Sequence, residues 1–202
     1  NFLYQLNDTT VYLGVAAHCF SQDTNQGVDP CEAANLPLGT PVQIQNAAQP
    51  GELAYSSWQA MQEVGESAGS AACTHNDFAL VKLSPDDLAN IHPATIAFGG
   101  PTALASQLAS EGEAVFVYGQ SPFHFGVREL EAMNGSVIGI APEGWAYDVL
   151  TDTPAISGDS GGPVLDSQGR ALAVTSALSV SLSLTPVRNS VTNLARALRY
   201  AK

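Results

Sequence analysis

The sequence has little charge, and very little of that charge is positive. Of the 202 residues only 13% are charged, and 7 Lys and Arg face 19 Asp and Glu, which gives a net charge of -12. Because phosphate groups are attracted by positive surfaces, this shortage argues against nucleic acid and anionic membranes as partners. No run reaches the roughly 18 consecutive apolar residues that indicate a membrane-spanning helix. The 45% hydrophobic content still indicates a folded chain rather than a disordered one.

Cysteine is also scarce, and its count is odd. The three cysteines are Cys19, Cys31 and Cys73. In a secreted protein an odd number leaves one thiol without a partner inside the chain. The sequence opens at Asn1 directly on a predicted strand, so we expect any targeting segment to be absent or already removed.

Short β-rich segments separated by turn residues recur along most of the chain, whose length suits one large domain or two small ones. A hairpin is predicted at 2–15, with Asn7 and Asp8 at its turn. Further strands are predicted at 42–45, 78–83, 114–118, 136–140, 146–151, 163–166 and 171–175. Residues 84–112 are rich in Pro, Gly, Ala and Ser and are predicted to connect two halves. This pattern is typical of an all-β sandwich or barrel.

Only the C-terminus has a clear helical pattern. Four apolar residues recur there at helical spacing: Val191, Leu194, Ala195 and Leu198. Asn189 or Ser190 can cap the first turn, and the basic residues at the end suit the negative pole of a helix. The pattern therefore predicts a surface helix over 189–202.

The most specific motif is the segment 157–163, with the sequence SGDSGGP. Its glycines permit a tight turn around Ser160 that no neighbouring side chain crowds. Successive backbone N–H groups in such a turn can point into one concavity, which in acyl-transfer enzymes stabilises an oxyanion. A plain glycine-rich hairpin turn is the alternative. The full string, which runs into a strand, favours a catalytic serine.

A serine hydroxyl is a weak nucleophile and needs a general base. The chain has 4 histidines. His18 follows a predicted strand directly, and beside the serine motif it is the favoured base, although alone it would be taken as structural. His92 is expected at the surface. His124 lies between two phenylalanines and is expected to pack in the interior, with a substrate contact as the alternative.

The base in turn needs a carboxylate that fixes its tautomer and stabilises the imidazolium. Asp77 leads into the apolar strand that follows it, and a buried aspartate there would require an N–H or cationic partner. A simple turn aspartate is the alternative for Asp77.

Three segments together resemble the motifs of the chymotrypsin/trypsin-like serine protease family. They are 16–19 (AAHC), 76–80 (NDFAL) and 158–163 (GDSGGP), and they occur in that family's order over nearly the whole chain. The resemblance implies an all-β fold of two antiparallel six-stranded β-barrels with the site between them and a C-terminal helix. It also implies secretion and peptide-bond hydrolysis.

The same resemblance assigns the roles of individual residues. His18 would be the general base, Asp77 its orienting partner and Ser160 the nucleophile. The backbone N–H groups of Gly158 and Ser160 would form the oxyanion hole. Ser176 would lie on the strand that binds the substrate backbone.

The resemblance also divides the chain. It implies an N-terminal barrel at 1–88, a connector at 89–112, a second barrel at 113–188 and the helix at 189–202. The family's cysteine after the histidine pairs with one on an early strand, and the segment before His18 is short. We therefore expect the first barrel to lack its first strand. Cys31 and Cys73 are then the expected disulfide, with Cys19 left over.

Two positions depart from the family's pattern. The residue six before the nucleophile lies at the base of the specificity pocket, and here it is Pro154 rather than the aspartate that selects Lys or Arg. Asp152 lies close enough for a loop shift to bring it in. In many members a free amino terminus pairs with the aspartate before the nucleophile, here Asp159. The opening residues of this chain do not match that terminus.

The sequence thus predicts a secreted, monomeric serine endopeptidase that acts on polypeptides through an acyl-enzyme. No cofactor and no metal are implied, and neither nucleic acid nor membrane is an expected partner. A non-catalytic binding protein on the same fold is the alternative, because fold does not determine function. An esterase with the same three residues is a further alternative.

Overall fold

The computed structural model describes residues 1–23, 27–179 and 187–202. Its first half contains an antiparallel five-stranded sheet with the order β1-β2-β5-β4-β3. The strands are β1 (Leu3–Asn7), β2 (Thr10–Val15), β3 (Pro41–Val42), β4 (Gly51–Ser56) and β5 (Ala79–Lys82). The hairpin predicted at the start of the chain is formed by β1 and β2.

Two short helices lie between β4 and β5. They are α1 (Ser57–Val64) and α2 (Ala71–His75). The expected disulfide joins Cys31 to Cys73, and Cys73 is a buried residue of α2. This bond ties the long loop after β2 to the segment that leads into β5.

The second half contains a closed six-stranded barrel with the order β10-β11-β8-β7-β6-β9. Its strands are β6 (Ala114–Tyr118), β7 (Ala132–Ile140), β8 (Ala146–Thr151), β9 (Pro163–Asp166), β10 (Ala171–Ser179) and β11 (Arg188–Asn193). Helix α3 (Arg128–Glu131) precedes β7, and helix α4 (Leu194–Tyr200) follows β11. Buried apolar side chains such as Val117, Met133 and Tyr147 fill the barrel.

A separate apolar cluster joins the two halves. Phe2 and Phe78 immediately precede β1 and β5 of the first sheet, and they pack with Leu165 and Val174 of the barrel and with Leu194 of α4. Phe78 directly follows Asp77 in sequence, so the packing of this cluster holds the sheet and the barrel together next to the candidate site.

Two predictions about the architecture need correction. Only one six-stranded barrel closes in the described residues, because the first half is an open five-stranded sheet whose edge strands, β1 and β3, do not pair with each other. The C-terminal helix begins at Leu194 rather than near 189, and Arg188–Asn193 form a strand that pairs with both β10 and β8. Pairing on both sides outweighs the weak helical pattern of these residues.

The side chain of Asn193 caps α4 by accepting a hydrogen bond from the N–H of Arg196 at 3.3 Å. Asn193 is also the last residue of β11, so α4 follows the final strand of the barrel directly. In the described ranges no helix has the length and apolar character needed to cross a membrane.

Candidate active site

His18 and Asp77 meet at one end of the first sheet. His18 lies in a single 3-10 turn, Ala17–Phe20, immediately after β2, and Asp77 lies just before β5. Because Val15 of β2 pairs with Ala79 of β5 in antiparallel register, the two side chains come to the same edge. The Nδ1 atom of His18 lies 2.6 Å from Oδ2 of Asp77, and the backbone N–H of His18 donates to Oδ1 at 2.8 Å.

The Asp77 carboxylate is buried and receives further support from the barrel. The hydroxyl of Ser176 in β10 donates to Oδ2 at 2.5 Å, and the backbone N–H of Asp77 donates to Oγ1 of Thr192 in β11 at 3.4 Å. Burial would raise the pKa of Asp77, but the hydrogen bonds from His18 and Ser176 and the charge of His18 hold this pKa below its usual value.

The same contacts act on His18 in the opposite direction. Burial would lower the pKa of the imidazole, but its hydrogen bonds to Asp77 and Cys19 and the negative charge of Asp77 raise this pKa to about 10. Because Nδ1 is engaged by Asp77, Nε2 is the ring nitrogen left to act on another group. The side chain is 32% exposed, so the imidazole is accessible from solvent.

The loop with Ser160 is attached to the strand that carries Ser176. The N–H of Gly161 donates to the carbonyl of Thr175 at 2.7 Å, and the N–H of Thr175 donates to the carbonyl of Gly162 at 2.9 Å. Gly161 has a φ of 84°, and a Cβ atom there would lie 3.0 Å from the backbone nitrogen of Ala16. Glycine is therefore required where the loop meets the segment that leads into His18.

Two backbone amides of this loop are available to a ligand. Among the residues that the structure describes, neither the N–H of Gly158 nor that of Ser160 donates a hydrogen bond. The φ of Gly158 is 99°, a value that glycine adopts without strain. Free amides on both sides of Asp159 are what an oxyanion hole requires.

The structure brings His18, Asp77 and Ser176 into one hydrogen-bonded group. It brings the Ser160 loop against the same edge, but no hydrogen bond joins Ser160 to His18 within the described part of the chain. Catalytic hydrogen bonds are often long in the absence of substrate.

Asp159 has a partner that sequence reasoning missed. Its Oδ2 lies 2.7 Å from Nε2 of His124, and both side chains are buried. The prediction that His124 is an interior residue agrees with this burial. The flanking Phe123 and Phe125, which suggested apolar packing around His124, are instead exposed. The neighbouring residues in the sequence therefore do not indicate that His124 has a polar partner. The only available signal was the aspartate itself, for which the resemblance requires a partner.

The predicted substrate-binding residues lie on two segments that a buried amide connects. The side chain of Asn189 in β11 accepts from the N–H of Ala155 at 2.9 Å and donates to the carbonyl of Ala155 at 2.8 Å. It also donates to the carbonyl of Ala177 at 3.4 Å. Asn189 thus links Ala155 and Ala177, the neighbours of Pro154 and Ser176. The sequence predicts Asn189 only as a possible cap of the C-terminal helix, so this role was missed.

Asp152 is engaged elsewhere. Its Oδ1 accepts from the backbone N–H of Asn134 at 2.9 Å, and its Oδ2 accepts from the side-chain amide of the same residue at 3.2 Å. These bonds hold the exposed carboxylate against β7.

A cavity of about 410 Å³ opens beside Ser160. Gly158–Pro163 form one wall, and the others come from Leu13 and Val15 of β2, from Ile91–Ile96 of the connector and from Tyr118–Gln120. No acidic or basic side chain other than Asp159 and His92 lines it among the described residues.

Comparison with known proteins assigns the fold and the family. The profile of the trypsin-like peptidase domain matches residues 15–174. Thermobifida fusca Protease A is 19% identical and covers 100% of this chain and 87% of its own, with a TM-score of 0.59. The Nocardiopsis protease NAPase is also 19% identical, covering 98% and 87%, with a TM-score of 0.55.

Cellulomonas bogoriensis chymotrypsin is 18% identical and covers 99% of this chain and 85% of its own, with a TM-score of 0.52. At these identities the likeness to solved structures shows a shared fold. The search of curated proteins found no match. The profile match extends over most of the chain, from just before the histidine motif to β10. The chain belongs to the trypsin-like peptidase family and is a serine endopeptidase.

Proposed function

We propose that the protein is a secreted serine endopeptidase that hydrolyses polypeptides through an acyl-enzyme formed on Ser160. The observation that carries this proposal is the His18–Asp77 pair beside a loop with two free amides around a serine. The disulfide supports an oxidising, extracellular setting. We expect the protein to act as a monomer without metal or cofactor.

The proposed reaction follows from which atoms are already engaged. Asp77 occupies Nδ1 of His18, so Nε2 would take the Ser160 proton as Oγ attacks the peptide carbonyl. The amides of Gly158 and Ser160 would stabilise the oxyanion that forms. Nε2 would then deliver the proton to the leaving amine, and a water molecule would release the acyl group by the same steps.

Substrate binding is proposed for Pro154 and Ser176, whose neighbours Asn189 holds together. The backbone of Ser176 would align the substrate chain, while its hydroxyl remains bound to Asp77. The first sheet (within residues 1–88) and the barrel (from residue 113) would contact the substrate from two sides, and the connector at 89–112 would border the cavity.

A serine-reactive organophosphorus fluoridate tests the nucleophile. We expect one phosphoryl group on Ser160, with loss of fluoride, and mass spectrometry of the digested protein locates it. The variant His18→Ala should stop labelling because no base remains for the hydroxyl proton. Ser167→Ala is the matched control, since Ser167 is exposed in the turn between β9 and β10, and it should label normally.

An intact, folded protein that does not react would contradict the proposal and favour a non-catalytic binding protein. Rates on a matched pair of ester and amide substrates separate the peptidase from an esterase. We expect measurable cleavage of the amide. Hydrolysis of the ester alone would overturn the assignment to peptide bonds.

A further inference from the structure

Asp159, the residue before Ser160, has a buried partner in His124. The side chains of His124 and Asp159 are only 2% and 0% exposed, and their Nε2 and Oδ2 atoms lie 2.7 Å apart. A buried carboxylate is costly unless each of its oxygens has hydrogen-bond donors. His124 is the only side-chain donor to Asp159 among the described residues, since the remaining donors are backbone amides.

Asp159 is the residue between the two amides of the proposed oxyanion hole. Its Oδ1 accepts from the N–H of Ser121 at 2.8 Å, and its Oδ2 accepts from the N–H of Ile156 at 2.9 Å. The orientation of this side chain fixes the backbone on both sides of it. The direction of the Gly158 and Ser160 amides therefore depends on where the carboxylate is held.

The segment that supplies His124 is packed against the same loop. The hydroxyl of Ser121 donates to the carbonyl of Ser157 at 2.5 Å. A Cβ atom on Gly158 would lie 2.9 Å from Cδ of Pro122, and one on Gly119 would overlap Oδ1 of Asp159. The two segments therefore have little freedom to shift separately.

The turn that carries His124 is itself well defined. The N–H of His124 donates to the carbonyl of Ser121 at 3.0 Å, and the N–H of Val127 donates to the carbonyl of His124 at 2.9 Å. Phe125 follows with a φ of 54°, a left-handed conformation. This backbone turns the imidazole inward, while Phe123 and Phe125 face solvent.

We propose that His124 is a positioning residue for catalysis: it holds Asp159 so that the amides of Gly158 and Ser160 point at one oxyanion. This inference rests on the proposed function of Ser160. In the resembling family a free amino terminus often pairs with this aspartate. Here an internal side chain of the barrel half makes that contact.

A purely structural role is the competing explanation, because removing one member of a buried pair destabilises a fold wherever the pair lies. The two explanations differ in what happens to the rate. Loss of stability lowers the melting temperature and leaves the folded enzyme's kcat unchanged. Loss of positioning lowers kcat in enzyme that is still folded, while KM changes little.

The kinetic test compares His124→Leu, which cannot donate a hydrogen bond, with His124→Gln, which can. We expect kcat to fall about 100-fold in His124→Leu, the size of effect seen when an oxyanion-hole donor is removed. His124→Gln should recover part of the loss. Phe123→Ala is the matched control on the same turn, and it should retain the original kcat because its side chain is exposed.

A pair of inhibitors reports on the hole directly. A peptide aldehyde forms a bond from Ser160 Oγ to its carbonyl carbon, and its carbonyl oxygen then takes the oxyanion position. The corresponding peptide alcohol makes no such bond. We expect His124→Leu to weaken aldehyde binding by the same factor as kcat, with the alcohol unaffected. Equal weakening of both, or unchanged aldehyde binding, would overturn the positioning role.

An activity-independent measurement separates this inference from the function on which it rests. In ¹H–¹⁵N spectra the amide signals of Gly158 and Ser160 should shift in His124→Leu and remain in place in Phe123→Ala. If the unmodified protein does not react at Ser160, the proposed function fails while these spectra still decide whether His124 positions the loop. Unmoved signals would overturn the inference, and if His124→Leu does not fold, His124→Gln provides the comparison.

Discussion

Ser176 and Asp77, 99 residues apart in sequence, are joined by a hydrogen bond of 2.5 Å from the Ser176 hydroxyl to Oδ2 of Asp77. The bond crosses from the barrel to the first sheet and reaches the same oxygen that holds His18. The partner of the proposed base is thus oriented by both halves of the molecule.

The first prediction concerns this bond. In Ser176→Ala the Asp77 carboxylate loses one donor, and hydrogen bonds to charged groups contribute about 1.5–3 kcal/mol. We expect kcat/KM on a peptide substrate to fall by about tenfold or more, since 1.36 kcal/mol corresponds to a factor of ten. Ser136→Ala, on β7 away from the site, should have no effect. Unchanged kinetics in Ser176→Ala would show that Asp77 does not need the barrel's donor.

The second prediction concerns pH and rate. A protonated imidazole cannot accept the Ser160 proton, and the pKa of His18 is raised from 6.5 to about 10. We therefore expect kcat/KM to increase with pH through a midpoint above 6.5. Asp77→Asn should lower that midpoint, because burial then acts on His18 without the opposing carboxylate. A midpoint at or below the ordinary histidine value in the unmodified enzyme would contradict this assignment.

The third prediction is that stability responds to pH in the opposite sense. Because the pKa of His18 is higher in the folded state, its contribution is complete below pH 6.5 and is lost as pH rises towards about 10. The free energy of unfolding, measured with denaturant across this range, should decrease more in the unmodified protein than in His18→Ala. Parallel curves for the two proteins would rule out this linkage.

The fourth prediction concerns the disulfide. Cys31 and Cys73 are 42 residues apart, and closing a loop of that length stabilises a fold by about 4 kcal/mol in the chain-entropy treatment. Replacing both by serine should lower the melting temperature by roughly 10 °C for a chain of this size. Cys19→Ser is the control, because Cys19 is exposed and forms no disulfide in the described residues. A double variant as stable as the control would contradict the estimate.

The fifth prediction concerns substrate preference. By the family resemblance, Pro154 is proposed to lie where an aspartate selects basic side chains, and Asp152 is bound to Asn134. Cleavage-site profiling on a peptide library should therefore show no strict preference for Lys or Arg. A profile dominated by either residue would contradict this expectation and point to Asp152 as the residue that selects it.

The local motifs could be predicted from sequence because their chemistry is local. The glycines around Ser160 and the strands on either side of that loop are properties of adjacent residues, and the structure has strands where they were expected at 163–166 and 171–175. Long-range pairing has no such signature. The helical pattern predicts a helix from residue 189 onwards, yet Arg188–Asn193 form a strand because β8 and β10 lie on either side.

The partner of Asp159 could not be predicted for the same reason. The sequence shows His124 between two aromatic residues, which favours packing. Only the fold places the imidazole 2.7 Å from a carboxylate 35 residues later in the chain and turns both aromatic rings to solvent. Asn189 was missed likewise, because its contacts to Ala155 and Ala177 exist only once the barrel closes.

The apolar cluster around Phe78 has a consequence for how the enzyme loses activity. His18 and Asp77 come from the sheet and Ser160 comes from the barrel, and Phe78, Leu165 and Val174 are among the contacts that hold the two together. Conditions that loosen this contact would misalign the proposed nucleophile and the proposed base while each half keeps its own hydrogen bonds. A fall in the rate of catalysis should therefore reveal a loosened contact between the sheet and the barrel before any measurement of secondary structure does.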